Sequence, residues 1–320
     1  MAKLRHIKWI PILAAALVFP GCSAVPDLSA GSAFLFDTHC TWQISGGDPE
    51  LMEEISGSME SLSAAFDLCY DLAPDSLPDD GCYTRCAELT AELTEKYGRG
   101  VSVTCGALTG LWGISGGTGH IPAEDGIASA LETVTHDGTL TRGTRYDFGA
   151  AAKGYACDEA YRILKNGGAD YGVVSLSSST LLYGEKNDGS PFRAGITDPD
   201  GEGYLGILET PAAFVSTSGG YERYFEADGE LYCHILDLDT GYPAETDLAS
   251  VTVIVPAETE NGGILSDFLS TLIYIRGTEE IDKWLAYEEF YLVAADSDGR
   301  IYTDFDGFTP DQDGGWTMNP

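Results

Sequence analysis

Residues 264–275 run Ile264-Leu265-Ser266-Asp267-Phe268-Leu269-Ser270-Thr271-Leu272-Ile273-Tyr274-Ile275. Leu265, Phe268, Leu269, Leu272 and Ile273 recur at helical spacing, so the segment reads as a strongly apolar helix. Within it Asp267 and Thr271 stand one turn apart and share a face. A carboxylate among such residues is costly to bury unless a cation or strong donors compensate it. Two readings stay open. One is a hard divalent ion such as Mg2+, which prefers carboxylate, hydroxyl and carbonyl oxygens. The other has Asp267 satisfying free amides at a helix start while Thr271 faces solvent.

Outward from this helix the chain alternates between helical and strand-like periodicity. Phe34 to Ile44 reads as one strand-like run, and Leu51 to Phe66 and Thr84 to Tyr97 read as amphipathic helices. Tyr146 to Gly149 reads as a short strand and turn leading into a helix from about Ala150 to Lys165, stopped by Asn166-Gly167-Gly168. Strands are expected at Val173 to Leu176, Phe192 to Ile196, Leu205 to Leu208 and Ala249 to Val255. A helix near Glu279 to Tyr287 and strands at Phe290 to Ala294 and Arg300 to Thr303 complete the pattern. No repeat or linker divides residues 32–305, which predicts one mixed α+β domain followed by a mobile Gly- and Asp-rich tail over 309–320.

The 320 residues are 43% apolar and 11% aromatic, enough for a substantial core. Lys and Arg number 17 against 51 Asp and Glu, a formal charge of −34. Nucleic acid is excluded as a partner, because phosphate neutralisation needs clustered cations. Adhesion to anionic lipid by charge alone is disfavoured on the same ground.

Residues 1–22 read as an export signal with Lys3, Arg5, His6 and Lys8 at the start, a short apolar run from Trp9 to Phe19, and Gly21-Cys22 at the exit. The run is too short to span a bilayer. Cys22 resembles a bacterial lipoprotein processing site, with plain secretion as the alternative. Cleavage there removes three Lys and Arg and no acid, leaving 14 cations against 51 acids, or −37, and residues 23–31 as a tether. Seven further cysteines, at 40, 69, 82, 86, 105, 157 and 233, cannot all pair within one chain. Cys82 and Cys86 read as small apolar residues or one local disulfide, since no second metal-spaced pair follows.

Two other segments carry candidate chemistry. In Tyr146-Asp147-Phe148-Gly149-Ala150-Ala151-Ala152-Lys153-Gly154-Tyr155, small residues entering a helix permit close backbone approach, and exposed amides favour phosphate. Lys153 there is either a pyrophosphate contact or a solvated surface lysine. In Ser216-Thr217-Ser218-Gly219-Gly220-Tyr221-Glu222-Arg223-Tyr224, hydroxyls and glycines offer donors and backbone access. The following His234-Ile235-Leu236-Asp237-Leu238-Asp239-Thr240-Gly241-Tyr242-Pro243 holds the best acid/base candidate among the histidines, although a hydrogen-bonded structural role for His234 is also open. Gly113 to Gly119 lacks the GxGxxG spacing of a dinucleotide fold and reads as a loop. Ser216 and Ser218 lack a nucleophile elbow.

Six blocks in series resemble the ApbE family of flavin transferases. They are DFGAAAKGYACDEA at 147–160, FRAGITDP at 192–199, VSTSGGYERYF at 215–225, HILDLDTGYP at 234–243, LASVTVIVP at 248–256 and SDFLSTLIYIRG at 266–277, with Leu111-Trp112-Gly113 upstream. The resemblance implies a single ApbE-like, T-fold-related α+β domain of mixed sheets and packed helices, spanning 32–308. It implies FAD bound as a substrate, with Mg2+ on its pyrophosphate, and transfer of FMN to a threonine or serine hydroxyl of an acceptor protein with release of AMP. By motif position, Asp267, Thr271 and the Ala150 carbonyl would be the metal ligands. Lys153, Ser218, Gly219, Tyr221 and Thr240 would contact the nucleotide, and His234 and Asp237 would serve catalysis. The acceptor would resemble the FMN-carrying subunits of extracytoplasmic electron-transfer systems, met by an enzyme anchored to the membrane through its N-terminal lipid. FAD hydrolysis to FMN and AMP, or non-catalytic FAD binding by a lipoprotein, are the competing readings. The sequence departs from the family pattern at Ser177-Ser178, in place of a glycine pair, at Asp37-Thr38-His39, in place of Gly-Thr, and at Val101-Ser102, in place of Phe-Asp.

Overall fold

The structure, a computed structural model, describes residues 28–71, 81–140, 144–201, 203–312 and 314–319. Its first half comprises β1 (Leu28–Leu35), β2 (Thr38–Gly46), α1 (Leu51–Asp71), α2 (Gly81–Tyr97), α3 (Gly106–Trp112), α4 (Glu124–Leu131) and α5 (Ala152–Asn166). There follow β3 (Ala169–Leu176), β4 (Ser179–Gly184), β5 (Phe192–Thr197), β6 (Tyr204–Thr210), β7 (Ala213–Gly219), β8 (Tyr224–Ala227), β9 (Glu230–Cys233) and β10 (Leu248–Pro256). The chain closes with α6 (Gly262–Arg276), α7 (Ile281–Leu285), β11 (Tyr291–Asp296), β12 (Arg300–Thr303), β13 (Phe308–Pro310) and β14 (Thr317–Met318).

A sheet ordered β1-β2-β3-β4-β7-β10-β11-β12-β14 forms the frame, antiparallel throughout except where β14 runs parallel to β12. Its two faces are covered differently, and strand alternation shows how. On β10, Val251, Val253 and Val255 enter the main core with α1, α5 and α6, whereas Ile254 enters a second core under the small sheet β13-β6-β5. Both faces are therefore buried, and β10 reads as a continuous apolar run. α6 is enclosed as well. Every residue from Gly262 to Tyr274 is buried except Thr271.

The contact between α5 and α6 is unusually close because glycine meets glycine. A methyl on Gly154 would lie 2.7 Å from both the Gly263 carbonyl carbon and Asp267 Cβ, and a methyl on Gly263 would strike the Gly154 carbonyl. Asp158 on α5 caps α6, its carboxylate accepting the Gly263 amide at 2.7 Å and the Ile264 amide at 2.9 Å. The helix-start role entertained for Asp267 thus belongs to Asp158. Burial pushes the Asp158 carboxyl up to about 7.

Several expectations need correction. The run from Phe34 to Ile44 is a hairpin, not one strand: Phe36 and Asp37 both take positive φ, the two-residue turn whose twist matches antiparallel strands. β1 begins at Leu28, so the expected tether over 23–31 is strand in its last four residues, while 23–27 and the export segment lie outside the described residues. The tail expected to be mobile is paired instead. Phe308–Pro310 joins β6, Thr317–Met318 joins β12, and Trp316 is buried between. Tyr146 to Gly149 forms no strand; the Asp147 amide bonds the Val103 carbonyl and its carboxylate accepts the Gly149 amide at 2.7 Å. Cys86 is a free thiol, which removes the local disulfide with Cys82. The short elements β4, β8, β9, α3 and α4 were not foreseen.

Candidate active site

The site begins where α5 meets α6. Asp267 is 3% exposed, and its Oδ2 accepts the Gly154 amide at 2.9 Å while Oδ1 accepts the Ser179 hydroxyl at 3.2 Å. In a regular helix the Gly154 amide would close on the Ala150 carbonyl. Its bond to Asp267 instead leaves that carbonyl outside the α5 ladder, at the helix entrance. Thr271 donates to the Asp267 carbonyl at 3.2 Å and lies 3.2 Å from the Ser218 hydroxyl. Asp267 and Thr271 on α6, and Ala150 in the turn that leads into α5, are thus held next to each other by the Gly154–Asp267 bond. No group of three His, Cys, Asp or Glu converges among the described residues. The donor set is one carboxylate, one hydroxyl and one carbonyl, which suits an ion that keeps waters and takes substrate phosphate oxygens.

β7 brings the flavin-pocket candidates to the same place. Phe214, Ser216 and Ser218 alternate toward α6, where Ser216 pairs with Ser266 at 2.8 Å and Ser218 with Ser270 at 2.9 Å. On the opposite face Thr217 pairs with Thr252 at 2.9 Å. Gly219 is required by its neighbour, because a Cβ there would collide with the Tyr221 ring. Burial pushes the Tyr221 phenol well above its ordinary range.

Beyond β7 the chain turns through Glu222 and Arg223, makes the β8–β9 hairpin and returns at His234. The His234 amide donates to the Arg223 carbonyl at 3.0 Å, and its ring Nδ1 lies 3.2 Å from the same oxygen. A carbonyl only accepts, so Nδ1 carries the proton and Nε2 keeps its lone pair. Burial, with the charges of Arg223 and then Lys153, pulls the imidazole down to about 4. At neutral pH it is uncharged and able to accept a proton. Burial pushes the neighbouring Glu222 carboxyl up to about 7, against the pull of Lys153 and Arg223 and with help from Asp267. Lys153, whose Nζ donates to the Gly149 carbonyl at 3.3 Å, therefore shares one electrostatic field with Glu222, Arg223, His234 and Asp267.

Asp237 and Thr240 stand apart from that field. Asp237 Oδ1 accepts the Asp239 amide at 2.9 Å, its carbonyl accepts the Gly241 amide at 2.7 Å, and its amide donates to Tyr242. Thr240 bonds within the same turn. Both side chains are committed to shaping residues 237–242, and among the described residues no bond joins them to Lys153, His234 or Asp267. Sequence reasoning gave no role to Glu222, Arg223 or Asp158. For Arg223 a signal existed: it is one of few cations in an acidic chain, set beside a Ser-Gly-Gly turn.

Residues 80–293, two thirds of the chain, match the family model described as the ApbE family. The chain belongs to that family. Among curated proteins, this ApbE-family chain is 32% identical over 217 residues to the FAD:protein FMN transferase of Treponema pallidum, covering 58% of this chain and 57% of that protein. It is 32% identical over 180 residues to that of Salmonella typhimurium, covering 51% of each. The chain thus spans little more than half the length of these relatives. Two solved structures share the fold at 24% identity and a TM-score of 0.70: the ApbE protein of Thermotoga maritima, over 89% of this chain and 97% of that one, and the apo flavinyl transferase ApbE of Pseudomonas stutzeri, over 89% and 95%. The α+β architecture expected from the sequence is the observed one.

Proposed function

We propose that this chain transfers FMN from FAD to a threonine or serine hydroxyl of an acceptor protein, releasing AMP, and that it works outside the cytoplasm, held to the membrane through lipidated Cys22. The observation that carries the reading is the buried Asp267 carboxylate bridged to Gly154 beside Thr271, with a neutral His234 and the Lys153 cation in the same field.

Asp267, Thr271 and the Ala150 carbonyl would hold a magnesium ion. When bound, that ion would neutralise the FAD pyrophosphate and stabilise the AMP leaving group. Lys153 would add positive charge at the same phosphates. Ser218, Gly219 and Tyr221 would position the flavin nucleotide. His234 Nε2 would take the proton of the acceptor hydroxyl as its oxygen bonds the FMN phosphorus and the bond to AMP breaks; the proton then passes to water. Asp237 and Thr240 act by fixing the turn that follows His234.

The test is incubation of residues 23–320 with FAD, Mg2+ and an exported FMN-acceptor domain, followed by intact mass. Acceptor heavier by one FMN less a water, with AMP in equal amount, is the expected result. Free FMN with unmodified acceptor would replace transfer with hydrolysis, and intact FAD would leave a binding protein.

A further inference from the structure

The hydroxyl pairs between β7 and α6 repeat every two residues on the strand and every four on the helix, Ser216 with Ser266 and then Ser218 with Ser270. The two steps nearly match, about 6.7 Å along a strand and about 6 Å along a helix. One step further, the same spacing brings Gly220 to Tyr274. A Cβ on Gly220 would lie 2.5 Å from the Tyr274 oxygen and 3.2 Å from Cys233 Cβ, so the missing side chain lets the phenol through. The Tyr274 hydroxyl accepts the Gly220 amide and donates to the Cys233 thiol. That thiol donates to the Ile235 carbonyl at 3.5 Å. The bonds therefore pass from α6 across the end of β7 to the residues on either side of His234. Tyr274 is 5% exposed. A phenylalanine would fill the same space, and a buried hydroxyl costs free energy unless it is bonded. Here both partners adjoin site residues, Gly219 and His234.

We infer that Tyr274 is a positioning residue for His234, acting through Cys233 to hold the imidazole at a fixed distance from Asp267 and Thr271. The inference rests on the proposed transfer. Asp267, Thr271 and Tyr274 fall within about 60° of one another around the α6 axis. One helix face thus carries the oxygens assigned to the ion and the phenol that stands behind the proton acceptor. Asp267 and Tyr274 are about 10 Å apart along that axis. His234 itself bonds the Arg223 carbonyl, within the same excursion of chain. The Tyr274 phenol links that excursion to α6. Transfer needs the acceptor hydroxyl, held by His234, in line with the phosphorus, and a misplacement of about 1 Å can slow such a reaction about 10²-fold.

The experiment uses residues 23–320 carrying Tyr274→Phe, which keeps the ring and removes the hydroxyl. The kcat for flavinylating an acceptor domain should fall about 10–100-fold, with KM for FAD and FAD affinity unchanged. Cys233→Ala should lose as much, and the double variant should lose no more than either alone. Cys233→Ser, whose hydroxyl can still accept from the phenol, should recover most of the rate. In histidine-labelled free enzyme, NMR should show the His234 titration moving in Tyr274→Phe from about 4 upward toward 6.5. A loosened ring meets water, while Arg223 and Lys153, the charges that face it, stay in place. An unchanged rate, an unmoved titration, a rate and FAD affinity that fall together, or losses that add in the double variant would each overturn the inference. Wild type that flavinylates nothing removes the transfer reading, and the titration alone then decides whether Tyr274 holds His234.

Discussion

Gly154→Ala tests the centre of the site through a single methyl group. The added carbon lands on the Gly263 carbonyl and 2.7 Å from Asp267 Cβ, and both obstacles belong to a buried helix that cannot swing aside. Ordinary contact requires α5 and α6 to part by about 1 Å. The 2.9 Å bond from the Gly154 amide to Asp267 Oδ2 then stretches to about 4 Å and is lost. A hydrogen bond to a buried charge contributes about 1.5–3 kcal/mol, and forced overpacking costs about 1–3 kcal/mol. The expected destabilisation is therefore about 3–5 kcal/mol, with FAD binding weakened because Asp267 and the Ala150 carbonyl no longer keep their spacing. Urea unfolding read by circular dichroism measures the first, and quenching of flavin fluorescence the second. Gly57→Ala is the control: it lies within α1 with nothing within 4 Å of the new methyl, and a gain of about 0.5–1 kcal/mol is expected. If Gly154→Ala unfolded within 1 kcal/mol of wild type and bound FAD equally well, the close glycine crossing would not be what holds the site.

Other expectations follow from the same contacts. Asp267→Asn keeps an acceptor for the Gly154 amide, so its fold should survive while Mg2+-dependent turnover disappears; Asp267→Ala should also lose stability, because two buried donors lose their acceptor. Retained turnover in the Asn variant would remove Asp267 from the metal site. Asp158, with its carboxyl raised from 3.8 to about 7, contributes stability that is full below pH 3.8 and lost as pH rises through 7. Asp158→Asn should flatten this slope, so that its stability relative to wild type improves from pH 5 to pH 8 by on the order of 2 kcal/mol; parallel denaturation curves across those three pH units would contradict that. His234→Ala should bind FAD but transfer about 10²–10⁴-fold more slowly, and an NMR titration of the free protein should place the imidazole near 4, not at its ordinary 6.5. Ser177→Gly should stabilise by about 1 kcal/mol, because Ser177 holds φ +66 in the β3–β4 turn; a loss of stability would mean that its side chain matters more than its backbone.

What was legible in the sequence depended on how long each periodic signal lasted. α6 shows over fifteen residues, and its two oxygen side chains at i and i+4 stand out against an apolar background. β10, nine residues of mostly buried side chains, was found nearly to the residue for the same reason. The β1–β2 turn was hidden because Phe36 and Asp37 carry none of the glycine that usually marks positive φ. β8 and β9 span four residues each and read as polar loop. At the site, Asp267 and Thr271 drew notice as polar groups one turn apart on an apolar helix, whereas the tautomer of His234 needed the carbonyl of a residue eleven positions away. Asp158 could not be recognised as the cap of α6 from a position more than a hundred residues upstream.

The seam between β7 and α6 is made of hydroxyl pairs, Ser216 with Ser266 and Ser218 with Ser270, and not of interlocking methyl groups. Greasy surfaces tolerate sliding, since one methyl contact replaces another at little loss. Paired hydroxyls do not, because each bond has a direction and a slip of one residue breaks both together. Strand and helix are thereby keyed like a lock bolt in its keeper, and the end of β7 meets α6 at one fixed depth.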